Sequence, residues 1–430
     1  LKLPKFIREN LLLKMTSLNA GVIGVRLIVS LFIQRLLAEM VGETGIAKIG
    51  QLRNLLQMLT SLASVGIFTG VVKYISEYKD DKEQLQKLFS TAFVFTLLGS
   101  GILVPLLFLT ADIVSEKLFT SNEYAYIIKL VAIIVPSIAL FKIFNGVVNG
   151  LSLYKKFAKI DLIGYLFSAG ILVYFLIEYN IEGALIAIAI TPLIQLVILL
   201  FLFFSTLKEY IQFKKLQFKL PMAKSLLAFS IMSFFSTVLL NYVEINIRTM
   251  IINKISETDA GIWTAMTNVS KNYMVFSGAI FSLYVLPKFS GIYNEKDFKI
   301  ELFSIYKTLL PLFGLGMILV YLLRDFLIQV VYPDFTAMAP LFKWQLLGDF
   351  IKLASMILAH QFLAKKLVIN FVFTEVMSLA LFFGLAHYFT TIYGVEGVVI
   401  AHFVRYIAYF LVVLFLVFRY FRKQKKKTKL

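Results

Sequence analysis

Six polar residues, Ser230, Ser233, Thr237, Asn241, Glu244 and Arg248, follow one another at steps of 3, 4, 4, 3 and 4 in an otherwise apolar stretch. At 3.6 residues per turn those steps lay all six along one face of a helix. The face ends in a carboxylate and a guanidinium one turn apart. Shorter stripes recur elsewhere: Asn19, Arg26 and Ser30; Arg53, Gln57, Thr60 and Ser64; Lys142, Asn145 and Asn149; Thr264, Asn268 and Lys271; Gln345, Asp349, Lys352 and His360. Lone Ser, Thr and Asn on such faces are read as hydrogen-bonding glue between helices. Stripes that carry Arg or Lys are read differently. A base at the centre of a spanning helix costs about 2.5–3.5 kcal/mol on insertion, so it needs a wet cavity or a partner. A cavity lined this way attracts a polyanion such as phosphate or pyrophosphate, which the bidentate fork of Arg suits.

The elements that must carry these stripes follow from composition. Of 430 residues, 59% are hydrophobic and only 16% charged, too few charges for a soluble domain. Apolar runs of about 20 residues recur along the whole chain, each long enough to cross the hydrocarbon. The runs are continuous rather than alternating, which points to helices and against a β-barrel. The predicted spans lie at about 15–41, 46–75, 88–112, 124–151, 157–177, 183–206, 223–253, 260–287, 300–323, 339–363, 368–391 and 395–418. The N-terminus, with Lys2, Lys5, Arg8 and Lys14, resembles a signal peptide, but Arg26 and Arg35 in the apolar stretch and the lack of a small-residue cleavage site predict a retained first helix.

The net charge of +18 fits positive-inside anchoring. Both tails and the alternate loops hold about 27 Lys and Arg, whereas the opposite loops hold Lys117, Lys254 and Arg324. Both termini are therefore expected in the cytoplasm. The run Arg419, Arg422, Lys423, Lys425, Lys426, Lys427 and Lys429 reads as a cytoplasmic stop rather than a nucleic-acid patch. The chain also repeats itself. GIAKIGQLRNLLQ near residue 45, followed by KYISEYKDDKEQLQKLF, answers GIWTAMTNVSKNY near residue 261, followed by KFSGIYNEKDFKIELF. Six helices separate the copies, so the repeat is parallel, with a pseudo-twofold axis along the membrane normal. The expected organisation is a six-helix bundle at 1–206, a basic cytoplasmic linker at 207–222, a second bundle at 223–418 and a basic tail at 419–430.

About 13 bases fall within or at the ends of spans: Arg26, Arg35, Lys48, Arg53, Lys73, Lys129, Lys142, Arg248, Lys271, Lys307, Lys343, Lys352 and Arg405. Lys48, Lys73, Lys129, Lys307 and Lys343 can snorkel to an interface. The mid-span acids are chiefly Asp161, Glu244, Asp349 and Glu375. Glu244 and Asp349 each stand one turn from a base, Arg248 and Lys352. They are read either as structural ion pairs or as a relay coupling transport to a proton or cation gradient. His360 could titrate near neutral pH but lies toward a cytoplasmic end. The chain has no cysteine, P-loop, HExxH motif or metal-spaced acid cluster, and its three histidines are dispersed. Neither an enzyme nor a metal or cofactor protein is expected.

GIFTGVVKYISEY at 66–78, GIWTAMTNVSKNY at 261–273, FSLYVLPKFS at 281–290 and LFKWQLLGDFIK at 341–352 resemble the MOP (multidrug/oligosaccharidyl-lipid/polysaccharide) exporter superfamily. Within it the chain is similar to Wzx-type flippases, most closely those for lipid III in enterobacterial common antigen synthesis, over nearly its whole length. The resemblance implies an all-α, MATE-like fold: two six-helix lobes, V-shaped, around a central cationic cavity lined by the first, second, seventh and eighth helices. It implies movement of an undecaprenyl-pyrophosphate-linked oligosaccharide from the cytoplasmic to the periplasmic leaflet of a bacterial inner membrane. There a polymerase, with chain-length proteins, would receive it. Arg53, Lys73, Arg248, Asp349 and Lys352 match the family's residue types, while Arg26 rests on periodicity alone. On that reading Arg26, Arg53, Arg248, Lys271, Lys73, Lys142 and Lys352 hold the pyrophosphate, and Gln57, Asn145, Asn241 and Asn268 meet sugar hydroxyls. A drug or cation antiporter on the same fold would want an acidic or aromatic lumen. A membrane glycosyltransferase or polymerase would want a large extramembrane loop.

Overall fold

A computed structural model describes residues 11–427, with side chains from 21 to 424 except 154, 279, 282, 283 and 287. Asn19, the bases Lys2, Lys5, Arg8 and Lys14, and Lys425, Lys426, Lys427 and Lys429 lie outside the described side chains. Helices are the regular structure of the described residues, and no strand occurs among them. In chain order the helices are α1 (Leu11–Ala63), α2 (Phe68–Tyr78), α3 (Lys82–Leu109), α4 (Ala111–Phe119), α5 (Ala125–Gly150) and α6 (Tyr154–Tyr210). They continue with α7 (Ala223–Ser233), α8 (Leu239–Lys254), α9 (Glu257–Ile280), α10 (Leu286–Gly291), α11 (Glu295–Leu322) and α12 (Arg324–Val331). The last three are α13 (Leu341–Ala364), α14 (Val368–Tyr393) and α15 (Glu396–Lys427). Single π-helical turns at Phe234–Val238 and Phe281–Val285 join α7 to α8 and α9 to α10.

Local sequence sets the helix starts. Asp81 accepts from the backbone N–H groups of Glu83 and Gln84, Ser256 from Asp259 and Asn294 from Asp297, capping α3, α9 and α11. Nine helices among the described residues are long and apolar enough to cross a membrane. Two of them exceed what one crossing needs. At about 1.5 Å per residue, α1 and α6 would each run to roughly 80 Å as straight rods. Each is broken once by a left-handed residue, Gly42 (φ 62°, ψ −167°) in α1 and Asn180 (φ 52°, ψ −135°) in α6. Large apolar side chains such as Phe201 (88% exposed), Ile369 (84%) and Leu109 (82%) cover the outside, as lipid-facing helices require.

The chain divides into two compact units, one up to Val41 with Lys48–Ile245, the other Gly42–Ala47 with Asn246 onward. The division falls inside α8. The basic 207–222 segment packs within the first unit. There Gln86 donates to the Lys215 carbonyl, Gln217 N–H to Ser90 (3.2 Å) and Met222 N–H to Thr91 (3.1 Å). Among the described residues the first unit holds two cores. One joins α1, α4, α5 and the middle of α6 through Leu52, Ile128, Val131, Leu176 and Leu185. The other joins α2, α3, α5, the end of α6 and α7 through Ile75, Phe89, Val147, Phe203 and Leu226. The second unit packs α10, α11, α13 and α15 around Phe289, Phe298, Leu353, Ile357 and Val413.

The repeat is written into the backbone. Left-handed residues recur at a constant distance: Asp334 against Thr120, Lys366 against Ser152 and Gly394 against Asn180 are each 214 positions apart. The last pair sits in matching turns, Tyr179-Asn180-Ile181-Glu182-Gly183 and Tyr393-Gly394-Val395-Glu396-Gly397. Gly394 repeats the conformation of Asn180 closely (φ 58°, ψ −141°). In both turns the chain doubles back on the residue eight positions earlier. A Cβ on Gly183 would lie 2.0 Å from the Phe175 carbonyl oxygen, and one on Gly397 2.3 Å from that of Phe389. The glutamates are held alike, Glu182 by Tyr126 Oη (3.2 Å) and Glu396 by Trp344 Nε1 (2.8 Å).

Candidate functional site

In the first unit α1 supplies Arg26, Ser30, Arg53 and Gln57, and α6 supplies Asp161 and Tyr165. Arg26 Nη1 donates to Asp161 Oδ2 at 2.6 Å, and neither side chain is covered by protein (41% and 30% exposed). Tyr165, one turn beyond Asp161, places its ring 4.8 Å from the Arg26 guanidinium and donates its hydroxyl to the Arg26 carbonyl at 3.3 Å. The same hydroxyl reaches Ser30, and Arg53 acts on it through its charge. Arg26, Ser30, Asp161 and Tyr165 thus form one polar group. Arg53 is half-buried, and Gln57, a turn on, is exposed.

The other first-unit residues stand apart from that group. Lys142 lies 4.2 Å over the ring of Phe68, and Lys73 4.9 Å and 6.0 Å from the rings of Tyr74 and Phe229. Aromatic faces of this kind hold a desolvated ammonium by about 2 kcal/mol. Asn149 donates to the Asn145 side chain at 2.6 Å and to its carbonyl at 3.0 Å. Asn241 is buried and donates back to the Thr237 carbonyl (2.8 Å). Glu244 accepts from Asn54 at 2.8 Å.

In the second unit Arg248 is buried (1% exposed), an arrangement that costs several kcal/mol unless offset. Its Nε donates to Thr264 Oγ1 at 2.8 Å, and its guanidinium lies 5.1 Å from the Trp263 ring. Asn268 is half-buried and Lys271 exposed on the same helix, α9. Asp349, on α13, has no exposed surface. Its Oδ2 accepts from Ser270 and Tyr273 of α9, both at 2.5 Å, and from Gln345 at 3.1 Å. Its Oδ1 faces His402 Nε2 of α15 at 3.0 Å. A carboxylate only accepts, so that ring nitrogen carries the proton. Lys352, the partner offered by the sequence, acts on Asp349 through its charge, while the close bonds go to three helices. A carboxylate held by four donors is a rigid anion that ties α13 to α9 and α15.

The sequence reading passed over His402. The same spacing rule finds it: His402, Arg405, Tyr406 and Tyr409 lie at i, i+3, i+4 and i+7 of the twelfth span. Arg405 is buried, bonds Tyr406 Oη at 2.9 Å and stacks on Phe382, while Tyr409 donates to Glu375 at 3.0 Å. Gly348 makes the His402 contact possible, because a Cβ there would lie 2.5 Å from the ring. His360 instead turns to its own helix, with Nδ1 2.6 Å from the Met356 carbonyl oxygen, and stacks on Phe281.

Long apolar helices with charged groups buried among them define a multi-pass integral membrane protein. The solved structures that share the fold agree. One is an inward-facing multidrug resistance MATE family transporter of the MOP superfamily, with TM-score 0.75, 13% identity, and 96% of this chain and 99% of that one covered. Another is the lipid II flippase MurJ in an inward closed conformation, with TM-score 0.70, 17% identity, and 93% and 87% covered. The family model described as polysaccharide biosynthesis protein matches residues 50–337, and the chain belongs to that family. It is 29% identical over 390 residues to the Lipid III flippases of Escherichia coli (strain K12) and Shigella flexneri, covering 90% of this chain and 93% of each of theirs. These relatives are named as flippases, not as enzymes.

Proposed function

We propose that this protein is a flippase that carries a polyprenyl-pyrophosphate-linked oligosaccharide, of the lipid III or O-antigen type, from the cytoplasmic to the periplasmic leaflet of a bacterial inner membrane. The match to the Lipid III flippases over 90% of the chain carries the reading. Physical chemistry supports it. A pyrophosphate cannot cross bare hydrocarbon, because desolvating an unpaired charge costs far more than thermal energy supplies. Arg26, Arg53, Arg248, Lys271, Lys73, Lys142 and Lys352 would compensate that charge, and Gln57, Asn145, Asn241 and Asn268 would meet sugar hydroxyls. The two repeat halves, with both termini cytoplasmic, would alternate access to the two leaflets. Asp349, with Glu244, would bind the proton or cation whose gradient drives the cycle. On the periplasmic side a polymerase would take the product.

The test is complementation of a strain lacking its own lipid III flippase, scoring surface glycan and accumulated lipid-linked intermediate. Restored glycan with cleared intermediate is expected. Failure of the well-inserted protein there, and in O-antigen and capsule flippase mutants, would defeat the reading.

A further inference from the structure

The group around Arg26 holds an acid that cargo binding alone does not call for. A pyrophosphate site has no use for a carboxylate, yet Asp161 Oδ2 sits 2.6 Å from Arg26 Nη1. Resting on the flippase reading above, we propose that Asp161 is a built-in competitor for Arg26. It neutralises the guanidinium in the empty carrier, yields it to the arriving pyrophosphate, and reclaims it to help expel the cargo.

Three observations carry this. The pair is not covered by protein, at 41% and 30% exposure, so an incoming anion can reach it. Exposed pairs are weak, worth well under the affinity of a bidentate arginine–phosphate contact, so the exchange runs downhill toward cargo and remains reversible. The guanidinium is also held independently of Asp161. Tyr165 lies 4.8 Å under it and bonds the Arg26 carbonyl, so Arg26 stays in place when the carboxylate lets go. A guanidinium has five N–H donors, and Asp161 takes one at Nη1. The other half of the chain also keeps an acid at the repeat position: Glu375, 214 positions after Asp161, accepts from Tyr409 at 3.0 Å.

The exchange is read from binding and turnover separately. Farnesyl pyrophosphate serves as a short prenyl-pyrophosphate probe of the purified protein, by calorimetry. Clearance of lipid-linked intermediate in the complemented strain gives turnover. Asp161→Asn is expected to bind the probe about two- to five-fold more tightly, the span of an exposed ion pair, yet to clear intermediate more slowly than wild type. Asp161→Glu should restore both values. In an Arg26→Ala background, where binding is already weakened, Asp161→Asn should change nothing. If Asp161→Asn binds the probe no more tightly than wild type while Arg26→Ala still weakens it, the competitor role is wrong and the flippase reading stands. If wild type binds no probe and Arg26→Ala alters nothing, both fall.

Discussion

Asp349 and Arg248 show what burial asks of a single charged residue. Asp349 is fully enclosed and meets Ser270, Tyr273, Gln345 and His402. Asp349→Asn turns one accepting end into a donor facing donors, and each buried group left unpaired costs about 1–3 kcal/mol. The variant should reach the membrane, melt at a lower temperature in detergent and lose gradient-driven transport. Wild-type transport by Asp349→Asn at wild-type expression would remove it from the coupling site. Arg248→Lys tests geometry rather than charge. Lysine keeps the positive charge but lacks the Nε donor to Thr264 and the planar face over Trp263. Its expected outcome is at least about a ten-fold fall in transport rate, consistent with losing one charge-assisted bond of about 1.5–3 kcal/mol. The sequence marked both residues through helical spacing, since periodicity reports which face a side chain shares. It could not report that Asp349 turns to His402, 53 positions away on another helix. That choice is made by the packing of α13 on α15, at a point where Gly348 clears the space.

The turns that reverse the long helices are where element-level energetics can be read against themselves, because the repeat gives each an internal control. Asn180 and Gly394 share one backbone conformation, near φ 52–58° with ψ between −135° and −141°, which is costly for any residue with a Cβ. Asn180→Gly should therefore raise the melting temperature, by relief of about 1–3 kcal/mol, and Gly394→Asn should lower it. Equal melting curves for Asn180→Gly and wild type would mean that the turn carries no strain. Gly183 and Gly397 are constrained by space instead. A Cβ at either position meets a carbonyl oxygen at 2.0 Å or 2.3 Å, so alanine there must open the turn. Most of this architecture was legible: apolar runs gave the spans, and the offset of about 216 residues found from two motif stretches stands beside 214 in the backbone. The Tyr-X-X-Glu-Gly turns escaped notice because short turn signals are drowned by the apolar runs around them. The eighth span, α9, is too polar to register as a crossing by hydropathy, since Thr264, Asn268, Ser270 and Lys271 interrupt it. The sequence reading nevertheless placed it at 260–287, and its repeat partner in α1 supports it.

For the whole molecule, the distribution of charge is the property with the widest consequence. The segments expected at the cytoplasmic face hold about 27 Lys and Arg against three in the opposite loops, a bias from which the positive-inside rule predicts the orientation. Orientation in turn decides which leaflet the cargo enters from, so the direction of transport rests on it. The chain is suited to a direct test because it contains no cysteine, and every introduced thiol is therefore the sole site of labelling. Lys215→Cys and Lys296→Cys lie on exposed positions of the basic side, Lys117→Cys and Asp325→Cys on exposed positions of the other. In intact cells whose outer membrane admits a membrane-impermeant maleimide, Lys117→Cys and Asp325→Cys should label, while Lys215→Cys and Lys296→Cys should label only after the inner membrane is opened. The reverse pattern would invert the topology and, with it, the direction in which a pyrophosphate-linked cargo is moved. Mixed labelling within one set would instead move a span boundary. That would fall hardest on α9, the crossing supported by the repeat rather than by hydropathy.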